Sequence, residues 1–253
     1  MGQKQMKTAA VIPAFNVQDT IEHVVTGTAK HANTIIVVDD ASADRTVAIL
    51  EQLGVCPLRH AVNKGYEAAL RTGFAHALAG DSDLIVTLDS DGQHDPDEVA
   101  RFLDEFERSR ADLIIGSRLL SKEEWGHFPI SRLYGNRAVT FITNLAIGRK
   151  VTTDSQSGFR LFTREALESL HLKGERMEIS SEIIAEADRN RLAVREIPIV
   201  AKYSKEVSHV HAFRDVLHIV EMLVAKHFLK PAATTRPDTE TNRTGGVKER
   251  TLR

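Results

Sequence analysis

The sequence predicts an α/β protein built on a mainly parallel sheet with helices on both faces. Three observations carry this. Between Thr8 and Arg118, short apolar runs alternate with stretches of helical spacing, the pattern of strand–helix units. The runs are near-continuous Val, Ile and Leu, as in strands buried on both faces. Several runs end in charge, at Asp39-Asp40, Asp89 and Arg118. Sheets of this kind bind ligands beyond the carboxyl ends of their strands.

In order, Thr8 to Pro13 reads as a buried strand, and Phe15-Asn16 turns the chain. Gln18 to about His31 places Ile21, Val24 and Val25 at helical spacing. Thr34 to Val38 is the second strand and runs into Asp39-Asp40. Ser42 is suited to cap a helix from Asp44 to about Leu53. Val55 to Val62 reads as a third strand. Asn63-Lys64-Gly65 is a turn, and the helix from Gly65 to Leu78 has Ala68, Ala69 and Gly73 for close packing. Leu84 to Leu88 is the next strand. Asp95-Pro96-Asp97-Glu98 signals a helix start, with Asp at the cap, Pro in the first turn and Glu three residues after the cap. That helix runs to about Arg110, and Ala111 to Arg118 is a strand ending in a cation.

Beyond Arg118 the pattern changes. Phe128 to Gly148 has the spacing of an amphipathic helix with a basic side, carrying Arg132 and Arg137 and followed by Arg149 and Lys150. Asp154 to Arg160 is a polar loop entering a short strand, Phe159 to Phe162. Ser180 to about Arg191 is helical, and Val194 to Val200 is a strand with Pro198 near an edge. Ala212 to Leu229 is a second amphipathic helix. Asp215, His218, Glu221 and Lys226 interrupt it, so it suits a membrane surface and not its interior. From Pro231 the chain has no aromatic residue and the composition of a disordered tail. The expected organisation is one folded unit over residues 1–230 and a tail over 231–253.

The 253 residues carry a net charge of −2. That balance argues against a nucleic-acid binder, which shows a basic excess. Cys56 is the single cysteine, so no intrachain disulfide forms. The first strand begins by Thr8, leaving no room for a signal peptide. Met6 stands where a myristoylation signal needs Ser or Thr. No apolar run reaches the roughly 18 residues of a spanning helix. A cytoplasmic chain is expected.

Asp89 and Asp91, two residues apart past a buried strand, have the placement to hold a hard divalent cation through oxygen. A bare Asp-x-Asp is more often the pattern of an acidic turn. A cation there would bridge a diphosphate and make it a better leaving group. Gln93 offers a further oxygen. Asp39 or Asp40 suits ribose hydroxyls or base edges through charge-assisted hydrogen bonds, and Lys64 suits base or phosphate. Neither a P-loop nor a dinucleotide fingerprint is present, so the diphosphate would be gripped mainly through metal. His209, His211 and His218 read as loop and helix histidines.

Several ordered stretches together resemble one family. They are Val11-Ile12-Pro13-Ala14-Phe15-Asn16, Val38-Asp39-Asp40-Ala41-Ser42-Ala43-Asp44-Arg45-Thr46, Asn63-Lys64-Gly65, Leu88-Asp89-Ser90-Asp91-Gly92-Gln93-His94, Ile115-Gly116-Ser117-Arg118 and Asp154-Ser155-Gln156-Ser157-Gly158-Phe159-Arg160. Tyr203 with Ser208 resembles a later loop. The chain resembles family 2 glycosyltransferases of GT-A fold, and most of all the polyprenyl-phosphate (dolichyl-phosphate) mannose synthase group. The resemblance implies a three-layer sandwich and an inverting transfer of a hexose, mannose or glucose, from a nucleotide diphosphate sugar to polyprenyl phosphate. A glycan or other hydroxyl acceptor is the alternative. It implies that Pro13, Phe15, Val38 and Asp40 line the nucleoside pocket, with Asp39, Lys64 and Ser90 also on the donor side. Asp89, Asp91 and Gln93 would hold Mg²⁺ or Mn²⁺ with the donor diphosphate. Arg118, with Arg132 and Asn136, would bind the acceptor phosphate. Asp154 would face the sugar or acceptor and serve as base toward a hydroxyl. Catalysis would rest on Asp91, Asp154 and Arg118, at peripheral contact with a membrane surface. Val17 departs from the resemblance, standing where many relatives carry Glu. So does the loop from Lys202 to His211, which lacks the Arg-rich form of some mannose synthases.

Overall fold

A computed structural model describes residues 6–120, 130–173 and 179–202. Phe128, Tyr203, Ser208, the three histidines at 209, 211 and 218, the helix expected over 212–229 and the tail lie outside the described residues, as does most of the loop from Lys202 to His211.

The strands are β1 (Thr8–Ala14), β2 (Thr34–Asp39), β3 (Leu58–Arg59), β4 (Leu84–Thr87), β5 (Leu113–Ser117), β6 (Arg160–Thr163) and β7 (Val194–Pro198). They form one sheet in the order β3-β2-β1-β4-β6-β5-β7. The pairings β1–β2, β1–β4, β2–β3 and β5–β7 are parallel, and β6 runs antiparallel to both β4 and β5. The sheet is therefore mainly parallel, as the strand composition implied.

The helices are α1 (Ile21–Thr28), α2 (Thr46–Gln52), α3 (Tyr66–Ala79), α4 (Val99–Ser109), α5 (Ile130–Ile147), α6 (Arg164–Ser169) and α7 (Ile179–Arg189). Strand side chains alternate between two cores, as the pleat requires. Ala10, Ile12, Val37, Val86 and Ile114 pack with Ile21 and Val24 of α1, Leu50 of α2, and Phe102 and Phe106 of α4. Ala9, Val11, Val38, Ile85 and Ile115 pack with Leu70 and Phe74 of α3, Leu167 of α6, and Ile183 and Ile184 of α7. Gly73 lets α3 close on the sheet, because a Cβ there would meet Val11 Cγ1 at 2.3 Å.

Local expectations shift at four places. The third strand shrinks to Leu58–Arg59. Pro57 before it has no N–H to give a ladder, and His60 turns in to Asp40 at 2.6 Å. Ser42 does not cap α2; its hydroxyl accepts from Asn16 N at 2.9 Å. Asp44 instead binds the first turn, accepting from Thr46 N at 2.9 Å, and α2 begins two residues later than expected. Asp95 does cap, accepting from Asp97 N at 3.0 Å, but the turn Pro96–Glu98 is 3-10 before α4 begins. Glu98 bonds Arg101 at 2.6 Å, so no capping box is seen. The short helix α6 was not expected.

Because β6 alone runs backwards, its N-terminal end meets the carboxyl ends of its neighbours: Arg160 pairs with Thr87 of β4 and Ile115 of β5. That reversal brings the loop over 152–159 to the edge where β1, β2, β4 and β5 end.

Candidate active site

Several strands deliver a charged or polar residue to this edge. After β1, Asn16 takes a left-handed turn (φ 53), and after β2 Ala41 does the same (φ 64). Such conformations cost energy in residues other than glycine and gather at functional sites.

Asp39 is wholly buried, accepting from Ser42 N at 3.2 Å and Arg59 Nε at 3.1 Å. Asp40, also buried, accepts from His60 Nδ1 at 2.6 Å, Lys64 N at 2.9 Å and Gly65 N at 2.7 Å. His60 reaches on to Thr72 Oγ1 at 2.9 Å. These carboxylates are spent on shaping the loops. The Asp40 carboxylate holds the 60–65 turn rather than presenting open oxygens to a ribose. Val38 is fully buried against the α3 face, so its side chain adds nothing to an open pocket. Pro13 is buried in β1, and Phe15 is 47% exposed. Lys64 is exposed. A cavity of about 480 Å³ opens past β2 instead, lined by Ala41, Ser42, Arg59, His60 and Ala61.

At the end of β4, Ser90 is buried; its hydroxyl donates to Pro13 O at 2.5 Å, and Thr20 Oγ1 donates to Ser90 O at 2.6 Å. Ser90 thus ties the acidic loop to β1. Asp91 Oδ1 accepts from Gln93 N at 2.9 Å, and Gln93 O accepts from Lys202 N at 2.8 Å. Asp89 Oδ1 accepts from the Tyr66 hydroxyl at 2.8 Å. The Asp91 side chain reaches solvent, yet enclosure by protein and the neighbouring Asp89 charge push its carboxyl up to about 6. Two carboxylates crowded this way favour a shared proton or cation. The charges of Arg132 and Arg118 work against that shift.

Arg118 and Asp154 form a buried fork. Nε donates to Oδ2 at 2.7 Å and an Nη to Oδ1 at 2.9 Å, while Arg118 N also reaches Oδ2 at 3.2 Å. Asp154 has no exposed surface. Burial works to raise its pKa, but the Arg118 charge and hydrogen bonds outweigh that and hold it below the ordinary carboxylate range. A carboxylate so placed is a poor proton acceptor. Asp154, expected to serve as a base toward a hydroxyl, is here the hydrogen-bonded partner of Arg118. Arg132 and Asn136 both lie partly buried on α5.

Sequence reasoning passed over three residues here. Tyr66 holds Asp89, and enclosure of its hydroxyl together with the Asp89 charge raises its pKa well above the ordinary value, so it stays a donor. Arg160 is a cation buried beneath the edge, donating from one Nη to Ser155 O at 2.9 Å and Ser180 O at 3.3 Å. His94 is buried, and its Nδ1 finds no partner among the described residues. Its ring lies 5.5 Å from that of Phe159, and burial pushes its pKa down to about 4, leaving it neutral. Gly65-Tyr66 after a turn and Phe159-Arg160 opening a strand carry no signal that they converge.

Among the described residues, no three His, Cys, Asp or Glu side chains gather as a metal cage. Asp89 and Asp91 lie together past the end of β4.

An α/β sheet with this reversed strand, acids past the end of β4 and arginines past β5 and on α5, is the layout of a sugar-nucleotide transferase of GT-A fold. Residues 9–170 match the profile of glycosyl transferase family 2, and the chain belongs to that family. It is similar to the UDP-N-acetylglucosamine–dolichyl-phosphate N-acetylglucosaminyltransferase of Methanococcus voltae, 34% identical, with 77% of this chain and 85% of that protein covered. It is similar to the polyprenol monophosphomannose synthase of Mycolicibacterium smegmatis, 31% identical, with 76% of each covered. Its fold matches Mycobacterium tuberculosis glucosyl-3-phosphoglycerate synthase in complex with Mn²⁺ and UDP-glucose, at TM-score 0.69 and 18% identity, over 88% of this chain and 79% of that one.

Proposed function

We propose that this glycosyltransferase moves a hexose from a nucleotide diphosphate sugar to a polyprenyl phosphate, with inversion, using Mg²⁺ or Mn²⁺. One observation carries the reading: the carboxylates Asp89 and Asp91, past β4, lie at the sheet edge where β5 ends in Arg118, and the charges of Arg118 and of Arg132 on α5 act on Asp91. The donor set fits a divalent ion, since both side chains are hard oxygen ligands and the number of protein carboxylates leaves room for diphosphate oxygens. Asp89 and Asp91, with Gln93 beside them, would hold that ion. When bound it would neutralise charge building on the departing diphosphate.

Arg118 and Arg132 would draw in and orient the acceptor phosphate. A phosphate oxygen then attacks the anomeric carbon, the bond from that carbon to the diphosphate breaks, and the nucleoside diphosphate leaves with the electron pair. Such an acceptor is anionic near neutral pH and needs no proton removed. The commitment of Asp154 to Arg118 favours this over a hydroxyl acceptor, which needs a base. The nucleoside would occupy the cavity past β2, and the M. voltae and M. smegmatis relatives, named for N-acetylglucosamine and mannose transfer, leave several sugars as candidates.

The test is formation of a lipid-phosphate sugar from labelled UDP- and GDP-sugars in vesicles containing polyprenyl phosphate, with Mn²⁺ or with EDTA. Metal-dependent product is expected with one donor. Arg118→Ala is expected to lower kcat/KM for the phosphate acceptor by about 100-fold, on the order of 3 kcal/mol, and to spare donor binding. Donor binding with no product from any donor would mark a silent binding module, and product on a free hydroxyl acceptor would overturn the lipid reading.

Peripheral membrane contact belongs to the same proposal. Among the described residues no helix is long and apolar enough to cross a membrane. Tyr134, Phe141 and Leu145 recur on one side of α5 and are 67%, 66% and 67% exposed. That helix contains no Asp or Glu, and exposed Arg137, Arg149 and Lys150 lie on it or follow it. An apolar stripe flanked by basic residues suits an anionic lipid surface. Phe141→Glu with Leu145→Glu is expected to reduce binding to phosphatidylglycerol vesicles at least tenfold in sedimentation. Unchanged binding would move the contact elsewhere.

A further inference from the structure

The cation edge is supported from α3. Gly65 takes φ 92, a conformation open to glycine, and its N–H and that of Lys64 are fixed by Asp40. The first residue after this pinned turn is Tyr66, so the end of β2 sets where the phenol stands. Its hydroxyl donates to Asp89 Oδ1 at 2.8 Å. The same carboxylate lies flat against Gly158, where a Cβ would come within 2.4 Å of Oδ1 and 2.5 Å of Oδ2. Among the described residues no hydrogen bond reaches Asp89 Oδ2. Asp89 therefore has one oxygen tied, one oxygen open and a bare backbone wall.

We propose that Tyr66 is the positioning residue of the cation site, locking the Asp89 carboxylate against Gly158 so that its open oxygen is presented to the metal. The inference rests on the cation reading above. Groups that orient a metal ligand typically change affinity by about 10- to 100-fold when removed. Without the hydroxyl, the Asp89 carboxylate is free to rotate, and the ion must supply the ordering that the phenol now supplies. The ring itself remains in Tyr66→Phe, so the packing of α3 is kept.

The experiment is calorimetric titration of Mn²⁺ into wild type and Tyr66→Phe, each saturated with UDP or with GDP. A parallel titration of nucleotide is made in EDTA. The expected result is Mn²⁺ affinity weakened about 10- to 100-fold, with metal-free nucleotide affinity within twofold of wild type. In turnover, the Mn²⁺ concentration for half-maximal rate rises by the same factor, while the rate at saturating Mn²⁺ falls far less. Gly158→Ala gives a second route to the same carboxylate, since its methyl group displaces the flexible Asp89 side chain and not backbone. It is expected to weaken Mn²⁺ as well, and the double variant to be no weaker than the more severe single one, because both act through one group. Mn²⁺ affinity unchanged in Tyr66→Phe, or an equal loss of nucleotide affinity in EDTA, overturns the positioning role. Wild type that takes up no Mn²⁺ with either nucleotide overturns the cation reading and this inference together. Wild-type uptake with an indifferent Tyr66→Phe overturns this inference alone.

Discussion

Asp91→Asn is expected to lower sugar transfer by at least about 1,000-fold, some 4 kcal/mol of transition-state stabilisation, and at the same time to stabilise the metal-free protein at neutral pH. Both effects have one cause. The carboxyl is pushed up to about 6 by enclosure and by Asp89, whereas an unfolded aspartate titrates near 3.8. A carboxyl raised on folding favours the protonated native state. Its contribution is present below the unfolded value and is lost as pH rises through about 6. Metal-free wild type therefore loses melting temperature relative to Asp91→Asn between about pH 4 and pH 6. The difference between the two proteins isolates this group from carboxylates with the opposite sign, such as Asp154. The asparagine removes the crowding and with it a ligand, a case of stability held back by function. Thermal melts in EDTA across pH and a product assay check the two halves. Equal pH profiles, or retained turnover, would remove Asp91 from the site.

Asp154→Asn is expected to cost about 3–5 kcal/mol of stability, the cost of leaving a buried charge unpaired. For a domain of this size that lowers the melting temperature by roughly 6–20 °C. The loss comes from Arg118, which keeps its charge in a site 9% exposed. Arg118→Met with Asp154→Leu, which removes both charges, is expected to regain much of the loss. A base would behave differently. Turnover would fall with the fold intact, and the acidic limb of the pH–rate profile would vanish. That outcome would restore Asp154 to catalysis and favour a hydroxyl acceptor.

The parallel half of the molecule was legible because its strands are doubly buried. Val, Ile and Leu runs at 34–38 and 84–88 leave no other reading, and charges at their ends mark the ligand edge. What the sequence could not show is pairing across distance. Val55 to Val62 had the composition of a strand, but His60 and the backbone at 64–65 are drawn to Asp40, and only Leu58–Arg59 joins the sheet. Asp154 sits in a polar loop that suited a catalytic base. Its fork with Arg118, 36 residues away in sequence, exists because β6 reverses direction. Tyr66, Arg160 and His94 were hidden for the same reason, since each becomes a site residue only once β4, β5, β6 and α3 are assembled. Of the residues that resembled pocket lining, Phe15 reaches solvent and Val38 is buried in the core.

The most direct test of the cation edge is electron paramagnetic resonance of Mn²⁺ with the protein, with and without UDP or GDP. The expected result is one tightly held ion per chain that depends on the nucleoside diphosphate, because in the proposed site the carboxylate ligands among the described residues are Asp89 and Asp91. Its affinity is expected to fall about tenfold per unit below pH 6, where Asp91 takes up its proton, and the ion is absent in Asp91→Asn. An ion bound equally well by Asp91→Asn, or no nucleotide-dependent ion with either base, would contradict a metal–diphosphate site at Asp89 and Asp91.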